Sequence, residues 1–201
     1  MVLKFDDIAA DERRVQILRG ALQTFLAYGF QRTTMDDIAR ASEISRPALY
    51  LHFRNKTDIY RALASQFLTE TLRNSRLAAD GAGSLPEVLG GMLGCVIGVM
   101  EEIEQSPHGA DILDMKNSLA GDIVAQGRGQ MVALLTEAIA RRSAPEALSA
   151  RGVSAGLLAN MLLDAMDGMK ARAPDPQEHS ACVAAYLRVV AQMAQRGPGA
   201  S

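Results

Sequence analysis

The sequence is poor in the residues that build reactive centres. Its 201 residues include two cysteines and three histidines. None of these falls into C-x-x-C, H-E-x-x-H or any other His/Cys cluster, which excludes the common metal-ligand spacings. No nucleophile–base pair and no phosphate loop is recognisable, so the pattern is not that of an enzyme and implies no cofactor. Cys95 and Cys182 stand far apart in apolar helical surroundings, which reads as buried free thiols in a reducing compartment. Long apolar runs are missing too. The longest, Val88 to Met100, is about 13 residues, short of the roughly 18 that a membrane span requires. The first residues, MVLKFDDIAADERR, lack the apolar core of a secretion signal. A soluble, cytoplasmic protein without a membrane partner is expected.

What is present is ordinary in bulk and specific in detail. Apolar residues make up 48% and charged residues 22%, enough to build a core, and the net charge is −2. A protein basic throughout is therefore excluded, but a local basic patch is not. Between Glu12 and Arg61 there are nine Lys/Arg against five Asp/Glu, so the negative balance lies elsewhere in the chain.

That basic stretch carries three helix starts in close succession. A first helix is expected from about Asp11 to Tyr28, with Val15, Leu18, Ala21, Leu22, Phe25 and Leu26 at helical spacing and Gly29 as its stop. Thr34 can cap a second helix, with Asp37 three residues on completing a capping box. Ser45 can cap a third, in whose first turn Pro47 is tolerated. Asn55 can cap a fourth, beginning near Lys56. Burying Leu49 and Phe53 turns Arg46, Ala48, Tyr50 and His52 outward. A helix presented in this way fits the major groove of double-stranded DNA, its first residues nearest the base edges. Arg46 suits guanine O6 and N7, while Pro47 and Ala48 offer apolar surface to a thymine methyl. The hydroxyls of Thr33 and Tyr50, with Lys56, suit phosphates, and Thr34 stands beside them at the start of the second helix. Tyr50 has the alternative of half-buried structure, and His52 that of a surface packing role.

The stretch ILRGALQTFLAYGFQRTTMDDIARASEIS followed by RPALYLHFRNKTDIYRAL resembles the DNA-binding domain of the TetR family of transcriptional regulators. The L-Y-x-H-F core at Leu49 to Phe53 and the pair Asn55–Lys56 are its most diagnostic parts. At motif level the resemblance covers about a quarter of the chain. It implies a small ligand, bound in the C-terminal part, that moves the fourth helix and changes the separation of two DNA readers. Two departures stand out. Glu43 occupies a turn where the family often has Gly, and Pro47–Ala48 replace a common Gly-Thr. A positive φ at Glu43 would cost about 1 kcal/mol.

Beyond Ala79 the segment from Asp80 to Ser84 breaks the fourth helix. The next, near Leu85 to Ile103, is apolar nearly all round and reads as a central buried helix. Gly90, Gly94 and Gly98 share one of its faces, marking either close packing of a neighbour or a cavity wall. A helix start at Ser106 to His108 and a break near Ala120–Gly121 follow. The central helices could surround a ligand pocket lined by Met92, Val96, Met100, Ile112, Met115 and Met131, with His108 or Asp111 as polar handles. The alternative is that the methionines are plain core. Ser143 to Gly152 reads as a loop. Two apolar-striped helices end the chain, one with Leu157, Leu158, Met161, Leu162, Ala165 and Met169, the other with Val183, Tyr186, Leu187 and Val190. Both can pack against their copies in a homodimer, or face only their own domain. The tail from Gly197 is expected to be disordered.

The expectation is an all-α protein. Residues 1–55 form a three-helix helix-turn-helix domain, and residues 56–201 a larger helical domain for ligand binding and dimerisation. The expected function is a homodimeric regulator, a repressor of a near-palindromic operator released by a small apolar effector. A helical dimeric interaction protein without DNA binding is the alternative.

Overall fold

A computed structural model describes residues 12–114, 116–172 and 175–194. Ten helices and no strand occur among them: α1 (Glu12–Tyr28), α2 (Met35–Ala41), α3 (Arg46–His52), α4 (Lys56–Ala79), α5 (Leu85–Glu104), α6 (Gly109–Asp114), α7 (Lys116–Arg142), α8 (Pro145–Ser149), α9 (Ala155–Arg172) and α10 (Pro176–Ala194). The chain forms two compact units. One holds the described residues up to Thr71 together with Ile97–Gly127, and the other holds Leu72–Val96 and the described residues from Arg128 onward. The expected division after residue 55 does not coincide with this one, because most of α4 belongs with α1–α3.

In the first unit the sequence pattern and the packing agree closely. Ile17, Leu18, Ala21, Leu22 and Phe25 of α1 meet Ile38, Leu49, Phe53, Ile59 and Leu63, all buried. Phe30 lies between Phe25 and Tyr60, with ring centroids 5.2 and 5.7 Å away. α2 approaches α1 closely at Gly20, where a Cβ would meet the Ser42 hydroxyl and stand 2.9 Å from the Ala41 backbone. At Gly29 the φ of 81° is one that only glycine adopts without strain. α6 is fastened to the same core, since the Tyr60 hydroxyl donates to the Ile112 carbonyl at 2.8 Å and the His108 amide to the Leu26 carbonyl at 3.3 Å. Burial pushes the Tyr60 phenol up to about 12. Arg61 grips both carboxylate oxygens of Asp122 at 2.7 and 2.6 Å, tying α4 to α7.

The second unit packs Leu89, Met92 and Leu93 of α5, Leu135 and Ile139 of α7, Leu158 and Leu162 of α9, and Leu187 and Val190 of α10. Arg128 pairs with Asp164 and Asp167, joining α7 to α9.

Several expectations change here. α5 is not buried all round: Gly91 and Gly94 are exposed, and Cys95, Val96 and Ile97 are half-buried. Neither glycine explanation holds fully along its stripe. Gly90 has the Leu187 side chain at ordinary contact distance, while nothing lies within 4 Å of a Cβ at Gly94 or Gly98. The two cysteines are half-buried rather than buried. The break near Ala120 is a kink inside α7, with φ −140° and ψ 27° at Ala120. The expected loop from Ser143 contains α8, which forms because Ala147 and Leu148 bury one side of its turn. Asp11 and the tail from Gly197 lie outside the described residues.

Candidate nucleic-acid interface

α2, its turn and α3 form a unit whose ends are closed by side chains and backbone. The Thr34 hydroxyl accepts from the Asp37 amide at 3.2 Å, and the Asp37 carboxylate accepts from the Thr34 amide at 2.9 Å, a complete capping box. These bonds with Thr34, its side chain first, hold the Asp37 carboxyl below its ordinary range. At the other end of α2, the Ile44 amide reaches the Ala39 carbonyl at 3.0 Å and the Glu43 amide the Arg40 carbonyl at 3.1 Å. This Schellman closure requires a left-handed residue after the cap, and Glu43 supplies it at φ 52°. Ser45 then caps α3 by accepting from the Ala48 amide at 3.3 Å, and Asn55 caps α4 by accepting from the Asp58 amide at 2.9 Å.

The closed unit presents α3 by one side. Leu49 and Phe53 are buried, while Arg46, Pro47 and Tyr50 are exposed and Ala48 and His52 half-exposed. The Arg46 guanidinium donates to the Asp36 carboxylate of α2 at 3.0 Å and sits 5.7 Å from the centre of the Tyr50 ring. The Tyr50 hydroxyl first, then Asp36, raise its pKa further. Arginine is cationic at any working pH, so the consequence is orientation rather than charge.

Two expected phosphate contacts have other work in this structure. Thr33 is buried and its hydroxyl donates to the Gly29 carbonyl at 2.7 Å. The Lys56 ammonium donates to the carbonyls of Phe30, Gln31 and Thr33 at 2.8, 3.0 and 3.1 Å and lies 4.6 Å from the Phe30 ring centre. Its three N–H groups are thus occupied in fastening the α1–α2 connection. Thr34 is exposed, with its hydroxyl engaged by Asp37 at 2.6 Å.

Two residues of this surface escaped the sequence reading. Leu51 is 86% exposed on α3. Its place two residues after buried Leu49 is the signal that could have shown it. Asp36 reaches across to Arg46, and its position beside the capping Asp37 hid that role.

The expected ligand residues divide between the two units. Met92, Val96 and Met131 belong to the second unit, and Met100, His108, Asp111 and Ile112 to the first; Met115 lies outside the described residues. Ile112 is a core residue packed with Phe30 and Tyr60, and Asp111 is exposed beside His108 at 3.5 Å. A cleft of about 560 Å³ does open in the first unit, lined by Thr24, Ala27, Tyr28, Arg32, Asp37, Arg40, Ala41 and His108. Of the expected ligand residues only His108 reaches it.

The expected dimer stripes divide in two. Leu158, Leu162, Val183, Leu187 and Val190 are buried in their own unit. Leu157 and Met161 are exposed, Ala165, Met169 and Tyr186 half-exposed, and the unforeseen Val189 is 51% exposed. Among the described residues no group could hold a metal ion, and no helix is long and apolar enough to cross a membrane.

Two short helices closed in this way, the second turned outward with its polar face, define a helix-turn-helix unit. Residues 17–63 match the family of bacterial regulatory proteins called the tetR family. The chain is 43% identical over 54 residues to the HTH-type transcriptional regulator TtgR of Pseudomonas putida, covering 27% of this chain and 26% of that protein. It is 31% identical over 115 residues to the HTH-type transcriptional repressor Rv1474c of Mycobacterium tuberculosis, covering 57% and 52%. The chain thus spans between about a quarter and a half of the curated relatives it matches. The fold extends further than the sequence likeness. SmeT, the repressor of the Stenotrophomonas maltophilia multidrug efflux pump SmeDEF, superposes with a TM-score of 0.64 over 92% of this chain and 91% of its own, at 18% identity. Residues 17–63 thus resemble the tetR family of bacterial regulatory proteins, and the all-α fold is like that of SmeT.

Proposed function

We propose that this protein is a transcriptional repressor that binds a near-palindromic DNA operator as a homodimer and leaves it when a small apolar ligand binds. The observation that carries the reading is the outward face of α3, where Arg46, Pro47 and Tyr50 stand exposed and Ala48 half-exposed on a helix seated by buried Leu49. A guanidinium at the start of such a helix suits the O6 and N7 acceptors of guanine, a pairing worth about 1–3 kcal/mol of discrimination. The match of residues 17–63 to a family of regulatory proteins supports it, as does the likeness to a named repressor.

Dimerisation is supported by Leu157 and Met161 on α9 and Val189 on α10, apolar side chains left exposed at the end of the chain. Two copies joined there would present two α3 helices to two half-sites. A ligand acts through its differential affinity for the two arrangements of the readers. A hundredfold preference corresponds to about 2.7 kcal/mol.

The test is a titration of labelled duplex from upstream of the protein's own gene at fixed salt, with excess unrelated competitor. Fixed salt matters because phosphate contacts alone produce affinity. Competitor-resistant binding that Arg46→Ala abolishes is the expected result. Failure of folded protein to enrich any duplex from a random library would overturn DNA reading. A monomer at the concentration of half-saturation would overturn the dimer.

A further inference from the structure

We propose that Asp36 is a positioning residue for base readout, holding the Arg46 guanidinium in the orientation from which it discriminates operator from unrelated DNA. The inference rests on the DNA-reading function proposed above and goes beyond it by assigning a role to a carboxylate on the other helix of the pair.

The geometry is specific. Arg46 opens α3, and one terminal nitrogen of its guanidinium meets the Asp36 carboxylate of α2 at 3.0 Å. A guanidinium offers five N–H donors in a rigid plane, so one bond to Asp36 leaves the rest of the fork for a bidentate partner. The Tyr50 ring, 5.7 Å away, limits the guanidinium from a second side. An arginine held in this way loses less freedom when it meets a base than one that waves in solvent.

Folding stability does not account for the pair. Both side chains are more than half exposed, 59% and 51%, and such pairs contribute little to stability. Nor does helix capping, because Asp37 alone closes the box with Thr34. A negative charge on a surface meant for phosphates also opposes binding to any DNA. That opposition acts on every duplex alike and cancels in a ratio of affinities, whereas orientation of Arg46 does not.

The experiment uses the full chain and a duplex that the wild-type protein enriches from a random library, with a scrambled duplex of the same composition. Affinities for both are measured at one salt concentration for wild type, Asp36→Ala, Asp36→Asn, Arg46→Ala and the double variant Asp36→Ala/Arg46→Ala. Circular dichroism confirms that each is folded. Asp36→Ala is expected to lower the ratio of the two affinities about 3- to 10-fold, a part of what a bidentate base contact supplies. Asp36→Asn keeps an acceptor oxygen and should hold the ratio within about twofold of wild type. In the Arg46→Ala background, loss of Asp36 should leave the ratio where Arg46→Ala alone puts it. An unchanged ratio in Asp36→Ala, or an equal fall with and without Arg46, would overturn the positioning role. A thermal shift without a change of ratio would make Asp36 only a helix-start residue and overturn it as well. A wild-type protein that enriches no duplex would remove the DNA-reading function itself, a result visible before any variant is compared.

Discussion

The segment from Glu12 to Leu63 and the second unit treat their buried polar groups differently. In the first, Thr24, Thr33, Ser42 and Tyr60 are buried, and each hydroxyl donates to a backbone carbonyl. In the second, Ser75 does the same to the Met92 carbonyl, but His179 is 4% exposed and neither ring nitrogen has a hydrogen-bond partner among the described residues. The second unit also leaves Leu157, Met161 and Val189 exposed. Unpaired buried groups and exposed apolar groups both carry a free-energy cost. The first segment, the proposed reader, pairs each of these buried hydroxyls and leaves Leu51 exposed, whereas the second unit buries an imidazole with no partner among the described residues.

The largest effect that tests this contrast lies inside the reading segment. Leu49→Ala removes a fully buried side chain from between α1 and α3 and should destabilise that unit by about 2–5 kcal/mol. Leu51→Ala, two residues along the same helix, should change stability by less than about 0.5 kcal/mol, since Leu51 is almost fully exposed. Chemical denaturation of both variants measures the difference. Similar losses would mean that α3 is not presented by one side.

In the second unit the expected sign is reversed. His179→Leu removes an imidazole whose two nitrogens are buried without partners, and should stabilise by about 1–2 kcal/mol. A loss of stability in the same denaturation assay would show that His179 has a partner, and the contrast between the regions would weaken. Repeating the measurement across protein concentrations would tell whether that partner is a second subunit.

The sequence disclosed the first region far better than the second, for physical reasons. Caps are local: Thr34 with Asp37, Ser45 with the Ala48 amide, and Asn55 with the Asp58 amide are each set by residues three apart, so spacing alone reveals them. The bonds of Lys56 are not legible locally, because its three acceptors lie more than twenty residues back in the chain, a distance that no local pattern encodes. The stripes of α9 and α10 were found, but not divided. Helical spacing places Leu157 beside Leu158 and cannot say which of the two is buried and which meets solvent. The glycines of α5 failed for a related reason, since what faces Gly94 depends on elements distant in sequence. α8 leaves no mark in the sequence, because a five-residue helix has too few turns to show a period.

Glu43 gives a smaller test within the reading segment, at the one place where that segment carries strain. Its φ of 52° is left-handed, a conformation that costs a residue with a Cβ roughly 1–2 kcal/mol. Glycine removes the strain but loses more backbone freedom on folding, by about 0.5–1 kcal/mol. Glu43→Gly should therefore stabilise by about 0.5–1 kcal/mol, read as a rise in melting temperature. A fall would mean that the Glu43 side chain holds the turn by a contact outweighing its strain.

The smallest effect concerns the pair that ties α4 to α7. Two bonds from Arg61 hold the Asp122 carboxyl down to about 2, against an ordinary value of 3.8. The folded state therefore favours the ionised form. Any contribution to stability is complete above about pH 4 and is lost as pH falls through about 2. Both groups are solvated, Asp122 to 68%, so the contribution is small and screened by salt. Carboxyl carbon chemical shifts followed by NMR should give Asp122 a midpoint near 2, and Arg61→Ala should return it toward 3.8. The stability difference between wild type and Asp122→Asn should shrink from pH 4 to pH 2 and vanish in Arg61→Ala. A midpoint that ignores Arg61 would mean that the ion pair has no part in coupling α4 to α7.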